Sequence, residues 1–290
     1  MMRKLTYALL LAVGCLFPAQ GARAAEIHAP ETVVAGNTAT LRTSGSGKAT
    51  LWIIGPGSAE KRAITLGEEV RLYPQALRNA GRYLVIVRQG SASDSASFYI
   101  IPASPSNVHF LARPSRVPVD RRGAISGVAF VFDAYHNLLL QPTPVKFSLA
   151  VPGAPPFTRT EGSKLGIAWA RVDSTRKQGA AQFVASVGDT DVRRVVQEVA
   201  SDPCNLRMKA ERTGKGIVVE TETVRDCTGN PVPDGTIVTF TQVDAKGRST
   251  VDARIKKGIA RADLPVADEA TISVASGVVL GNEIHLGGGR

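Results

Sequence analysis

Two stretches in the second half of the chain share one layout, and this repeat restricts the fold more than any other feature. Asp133-Ala134-Tyr135-His136-Asn137 leads, ten residues beyond its asparagine, to Phe147. Asp226-Cys227-Thr228-Gly229-Asn230 leads over the same interval to Phe240. The copies lie 93 residues apart. Such a cluster reads as a turn feeding a strand. Asp and Asn accept hydrogen bonds from nearby backbone N–H groups, and Gly permits positive φ. Val238 and Phe240 then alternate with Thr239 and Thr241, as a half-buried strand requires. A repeat of domain length predicts one β-sandwich present twice.

The agreement continues downstream in the same order. Gly166-Ile167-Ala168-Trp169-Ala170 matches Gly258-Ile259-Ala260-Arg261-Ala262, and Val184-Ala185-Ser186 matches Val274-Ala275-Ser276. The intervening lengths differ by only one or two residues, which loops absorb easily. Aromatics are scarce at 6%, while Val, Thr, Ala, Gly and Pro abound, which suits short strands and tight turns. The chain therefore reads as all-β, a row of tandem β-sandwiches over 26–103, 108–200 and 204–290, the last ending in a short flexible tail. Predicted strands are 38–42, 49–54, 69–72, 81–88 and 92–101 in the first segment. The second has 124–133, 145–151, 166–172, 180–187 and 192–199. The third has 205–211, 216–225, 236–243, 250–256, 258–264, 270–276 and 283–286. Gly81-Arg82-Tyr83 resembles the start of a late strand in immunoglobulin-like modules, where the tyrosine anchors a corner.

The run Asp226-x-x-Gly229-Asn230-Pro231-Val232-Pro233, followed by Val238-x-Phe240, Gly258-x-Ala260 and Val274-x-Ser276, resembles group 1 bacterial immunoglobulin-like domains. These are the modules of invasin- and intimin-type adhesins. The third segment matches at every point, Leu264 included. The second departs from the pattern: His136 replaces the turn glycine and Leu138 the following proline. The first segment shows no such motif. The resemblance implies tandem Ig-like sandwiches serving as rod, spacer or adhesive tip, and it implies no catalytic residue.

The start of the chain reads as a targeting segment, residues 1–25. Arg3 and Lys4 precede an apolar run from Leu5 to Phe17, and Ala22-Arg23-Ala24 offers small residues for cleavage. A lipoprotein box ending at Cys15 is the alternative, weakened by Ala12 and by the apolar run beyond the cysteine. No later run is long enough to span a bilayer. Net charge is +10 for the whole chain. Without Arg3, Lys4 and Arg23 it is +7, from 32 basic and 25 acidic residues. The basic residues are scattered and are not interleaved with stacking aromatics, which excludes a nucleic-acid platform. Attraction to an anionic surface or polysaccharide remains open. After cleavage Cys204 and Cys227 remain, an even count suited to an oxidising compartment. Between them lies strand, Gly-rich turn, strand, so a turn near Gly214-Lys215 sets the two cysteines nearly opposite each other, and a disulfide is predicted.

No chemical motif of useful spacing appears. His28, His109, His136 and His285 are dispersed, and Asp189-Thr190-Asp191 offers too few oxygens for calcium. Gly45-Ser46-Gly47-Lys48 only echoes a phosphate loop. No metal, cofactor or catalytic residue is expected. In the Gly-x-Ala strand, Ala168, Ala170 and Val172 should face the core. Trp169 then points outward, and with Phe157 of the neighbouring loop it forms a candidate hydrophobic contact for another protein. The sequence thus predicts an exported, non-enzymatic, multi-module protein, periplasmic or at the cell surface, acting in adhesion or as a scaffold or accessory of a surface assembly. Its partner is expected to be a protein. The alternative is a carbohydrate-binding envelope protein, which would need an aromatic platform from only 2 Trp and 5 Tyr.

Overall fold

A computed structural model describes residues 25–287. The predicted signal peptide up to Ala24, with Cys15, and the end of the tail at 288–290 lie outside them. The chain divides into two compact units, Met1–Ile101 and Pro102–Arg290.

The first unit contains β1 (Glu26–His28), β2 (Thr32–Val34), β3 (Ala39–Ser44), β4 (Lys48–Gly55), β5 (Ser58–Thr65), β6 (Glu69–Leu72), β7 (Gly81–Gln89) and β8 (Ala92–Ile101). They form a three-stranded sheet, β1-β3-β6, and a five-stranded sheet, β2-β8-β7-β4-β5. Alternation builds the core between them: Leu41, Leu51, Val85, Val87 and Phe98 are all fully buried. Tyr83 is buried too, its ring 5.4 Å from that of Phe98. Its hydroxyl donates to the Ala76 carbonyl at 3.3 Å, a tyrosine corner.

The second unit opens with β9 (Asn107–Arg113), β10 (Arg116–Pro118), β11 (Ile125–Phe132), β12 (Pro144–Ala150), β13 (Phe157–Gly162), β14 (Ile167–Val172), β15 (Gly179–Val187) and β16 (Thr190–Val199). The sheets run β9-β11-β14 and β10-β16-β15-β12-β13, with β10 parallel to β16. This is strand for strand the order of β1 to β8, although the first unit lacks the Asp–Asn turn. Phe110, Phe147 and Phe183 fill the centre, with ring centroids 5.1 to 6.1 Å apart. Gly127 makes room for them: a Cβ there would lie 2.7 Å from Phe183 and 2.9 Å from Phe110. A close-packed core cannot absorb that methyl, so Gly127→Ala should destabilise this unit by about 2 kcal/mol in urea unfolding.

The chain continues with β17 (Pro203–Cys204), β18 (Met208–Thr213), β19 (Gly216–Thr221), β20 (Arg225–Asp226), β21 (Ile237–Asp244), β22 (Gly247–Arg254), β23 (Arg261–Leu264), β24 (Ala270–Ser276) and β25 (Val279–Leu286). A three-stranded sheet, β18-β19-β23, faces a four-stranded one, β22-β21-β24-β25, and β17 pairs with β20. Val238 and Phe240 occupy this core as Val145 and Phe147 occupy the preceding one, all four fully buried. No strand corresponding to β10 is present among the described residues, because β18 and β19 are joined by a tight turn.

Several strands were not predicted. β5 and β13 are edge strands with the sequences SAEKRAIT and FTRTEG. Charged edges discourage pairing with other chains, and the same charges erase the apolar alternation on which prediction depends. β9 was also missed, although Val108 and Phe110 point inward from it. The residues read as the loop before Thr158 end in β13, which begins at Phe157.

Candidate functional site

Both copies of the repeated turn fold with the same hydrogen bonds. One carboxylate oxygen of Asp133 accepts from the N–H groups of Tyr135 (2.9 Å) and Asn137 (2.8 Å). Its counterpart on Asp226 accepts from Thr228 and Asn230, both at 2.9 Å. The other oxygen reaches back along the chain. In Asp133 it takes the N–H of Ala103 at 2.9 Å, and in Asp226 that of Ser201 at 3.0 Å. The motif is therefore a clamp on the segment preceding each sandwich. Burial raises both carboxyl pKa values, but the hydrogen bonds outweigh it and leave both below the ordinary 3.8. His136 occupies the glycine position of this turn at φ 65°, where Gly229 has φ 88°. A left-handed residue other than Gly costs roughly 1–2 kcal/mol, part of which glycine returns through its freer unfolded chain. His136→Gly should thus stabilise the unit by about 0.5–1 kcal/mol, read from the urea midpoint.

Asn230 adds contacts to its clamp. Its side-chain oxygen accepts from the Gln178 N–H at 3.1 Å, and its side-chain nitrogen donates to the Arg176 carbonyl at 2.9 Å. These bonds tie the third Ig-like segment to the β14–β15 loop of the second. Ser201 donates its hydroxyl to the Val119 carbonyl at 3.1 Å and strengthens the junction. Beneath the same loop, fully buried Glu198 accepts the Thr175 N–H at 2.8 Å and the Thr175 hydroxyl at 2.5 Å. Its other oxygen has no partner among the described residues. Burial pushes the Glu198 carboxyl up despite the two bonds from Thr175. The stability it contributes is full below its ordinary 4.5 and falls as pH rises through the raised value, opposite in sign to Asp133 and Asp226.

Cys204 and Cys227 form a disulfide with a Cα separation of 4.9 Å. The β18–β19 hairpin turns between Thr213 and Gly216, as the Gly-rich run implied. The register carries on to β17 and β20, where Cys204 stands opposite Arg225. The bond therefore runs diagonally to the residue two places further on.

Trp169 is 55% exposed on β14, between buried Ala168 and Ala170. Phe157 is exposed as well, but on β13, in the opposite sheet. The residues beside Trp169 come from elsewhere. Register places Val128 next to Trp169 and Leu111 next to Val128, so the three form one outward row. Leu111 is 56% exposed. The adjacent row is His109, Phe130 and Ile167. The third Ig-like segment has the same sheet, and there the row of Trp169 is Lys209, Glu220 and Arg261, with an Arg261–Glu220 ion pair at 3.6 Å. One copy of the sheet is thus solvated by charge and the other presents apolar side chains to solvent. Sequence reading missed Leu111 and Val128 because no local pattern links them to Trp169.

The remaining motifs fold as turns. Asp189 lies in the exposed β15–β16 turn and Asp191 follows on β16, and Ser46 lies in the β3–β4 turn with its carbonyl accepting from Gln89 at 2.8 Å. Among the described residues, no group of three or more His, Cys, Asp or Glu could hold a metal ion. No described helix is long and apolar enough to cross a membrane.

Tandem sandwiches with these sheet orders define an Ig-like all-β protein, and solved structures of similar fold include bacterial surface proteins. The Escherichia coli adhesin FdeC superposes with a TM-score of 0.60 at 14% identity, over 92% of this chain and 96% of that one. Yersinia pseudotuberculosis InvD gives 0.52 at 13% identity, over 92% and 98%. Invasin, described as a bacterial integrin-binding protein, gives 0.51 at 11% identity, over 90% of this chain and 60% of its own. No protein-family model matches the chain, and no curated protein matches it in sequence.

Proposed function

We propose that this chain is an exported, non-catalytic adhesion-type protein of the group 1 bacterial Ig-like class. In this reading it has three modules, 26–103, 108–200 and 204–290, and its second module binds a protein at a cell surface. The observation that carries the reading is the contrast between matching sheets: Leu111, Val128 and Trp169 in one, Lys209, Glu220 and Arg261 in the other. Exposed apolar patches on a β-sheet mark sites of protein association, and tryptophan dominates the energetics of many interfaces. Adhesin and invasin structures of the same fold support the role, and a disulfide supports an oxidising compartment outside the cytoplasm. The Asp226 clamp and the Asn230 bridge suit a fixed junction between the second and third modules.

The test is capture from native cell envelopes and from host-cell surfaces with the purified chain, followed by affinity measurement on the recovered protein. Recovery of one stoichiometric protein, with binding weakened about tenfold or more by Trp169→Ala with Leu111→Ser, is the expected result. Undiminished binding by that variant would exclude the face. Retention of glycans in place of a protein would turn the reading to carbohydrate binding.

A further inference from the structure

A groove of about 750 Å³ opens beside the junction that Asn230 bridges. Two edge strands wall it, with Phe157 and Arg159 coming from β13 and Arg171 and Val172 from β14. Register sets Phe157 beside buried Leu149 and Arg159 beside buried Phe147, so both face the space between the sheets. The β14–β15 loop adds Arg176 and Lys177, and the Thr228–Asn230 turn closes one end.

The lining carries four cations and one carboxylate, Asp173, which already accepts the Gly123 N–H at 2.6 Å. Arg159 pairs with Glu161, and Arg171 donates to the Gly123 carbonyl at 3.1 Å. Arg176 and Lys177 have no ion-pair partner among the described residues. The imbalance is regional: residues 102–200 hold 12 basic and 7 acidic residues, whereas 201–290 hold 12 of each. The loop is also held in place, from below by the Thr175–Glu198 bonds and from the side by Asn230. A preorganised loop loses less entropy when it binds.

We propose that this groove binds an acidic, extended peptide segment of a partner protein. Its carboxylates pair with Arg171, Arg176 and Lys177, and its apolar side chains rest on Phe157. Guanidinium forks suit carboxylates, and edge strands offer unpaired backbone groups to an added strand. Among the described lining residues Phe157 is the sole aromatic, and a lining without Tyr or Trp suits a saccharide, which stacks on broad aromatic faces, less well than a peptide. The inference rests on the reading that the chain binds protein, but the groove lining excludes the Trp169 row, and of the lining residues only Arg171 shares the strand face of Trp169.

The test is fluorescence anisotropy of a labelled octapeptide alternating glutamate and valine, titrated with the full chain. The expected result is saturable binding that weakens about tenfold or more in Arg176→Glu with Lys177→Glu. It should persist in Lys256→Glu with Lys257→Glu, an exposed basic pair outside the lining. Both reversed pairs are exposed, and unchanged urea midpoints would show that the variants remain folded. Equal binding by wild type and the Arg176/Lys177 variant, or an equal loss in the Lys256/Lys257 variant, would overturn the proposal. So would binding of a sulfated heparin oligosaccharide without binding of the peptide. Peptide binding reports on the groove alone, whereas partner capture lost on Trp169→Ala reports on the sheet face, so the two readings fail separately.

Discussion

Asp226→Ala should lower the stability of the Pro102–Arg290 unit by about 3 kcal/mol. The side chain is 4% exposed and accepts the N–H groups of Ser201, Thr228 and Asn230, the Thr228 hydroxyl and the Asn230 amide. Alanine leaves these donors without their charged acceptor, in a place water enters poorly. Urea unfolding of the full chain measures the loss, and a change below about 1 kcal/mol would refute the clamp. Asp226→Asn separates charge from shape. Because the folded pKa lies below the ordinary 3.8, the stability from Asp226 is present above that value and is lost as pH falls through the folded pKa. Asparagine should therefore make the acid limb of unfolding shallower. A second readout follows from Ser201. If its N–H is released, hydrogen exchange should speed up at the segment before β17, ahead of any exchange in the β21 core.

Removing the disulfide should have an effect of similar size. Cys204 and Cys227 are 23 residues apart, and opening a loop of that length restores unfolded-chain entropy worth about 3 kcal/mol. Among the described residues the third Ig-like segment has no strand equivalent to β10, so the cross-link secures a stretch that backbone pairing to the larger sheet does not. Cys204→Ala with Cys227→Ala should lower the urea midpoint, and reductant should do the same to the wild type while leaving the double variant unmoved. A reductant effect on the double variant would show that another process was being measured.

These two features differ in how far the sequence reveals them. The disulfide follows from two cysteines flanking a strand–turn–strand run, all within one short segment. The Asp226 turn is legible for the same reason, since its internal bonds span four residues or fewer. Its function as a clamp is not legible, because Ser201 lies 25 residues away and Ala103 lies 30 residues from Asp133. Nothing in either linker advertises the pairing. The edge strands β5 and β13 were lost for a different reason: their faces meet solvent, so no hydrophobic period marks them. Phe157 shows the limit for a single side chain. Its exposure could be anticipated, but its place in the β13 groove and not beside Trp169 depends on the pairing of β13 with β12.

The amino-acid order alone determined the all-β class, the repeated turn and strand, the outward aim of Trp169 and the Cys204–Cys227 bond. Each rests on chemistry between near neighbours or on the two-residue period of a strand. Tertiary structure alone decided that Leu111 and Val128 join Trp169 in one row, that Arg159, Arg171, Arg176 and Lys177 converge on one groove, and that Asn230 bridges two sandwiches. The Trp169 row and the Asn230 bridge join segments tens of residues apart, and the groove cations come from β13, β14 and the β14–β15 loop. Their meeting is set by sheet register, which the buried faces impose on the chain as a whole.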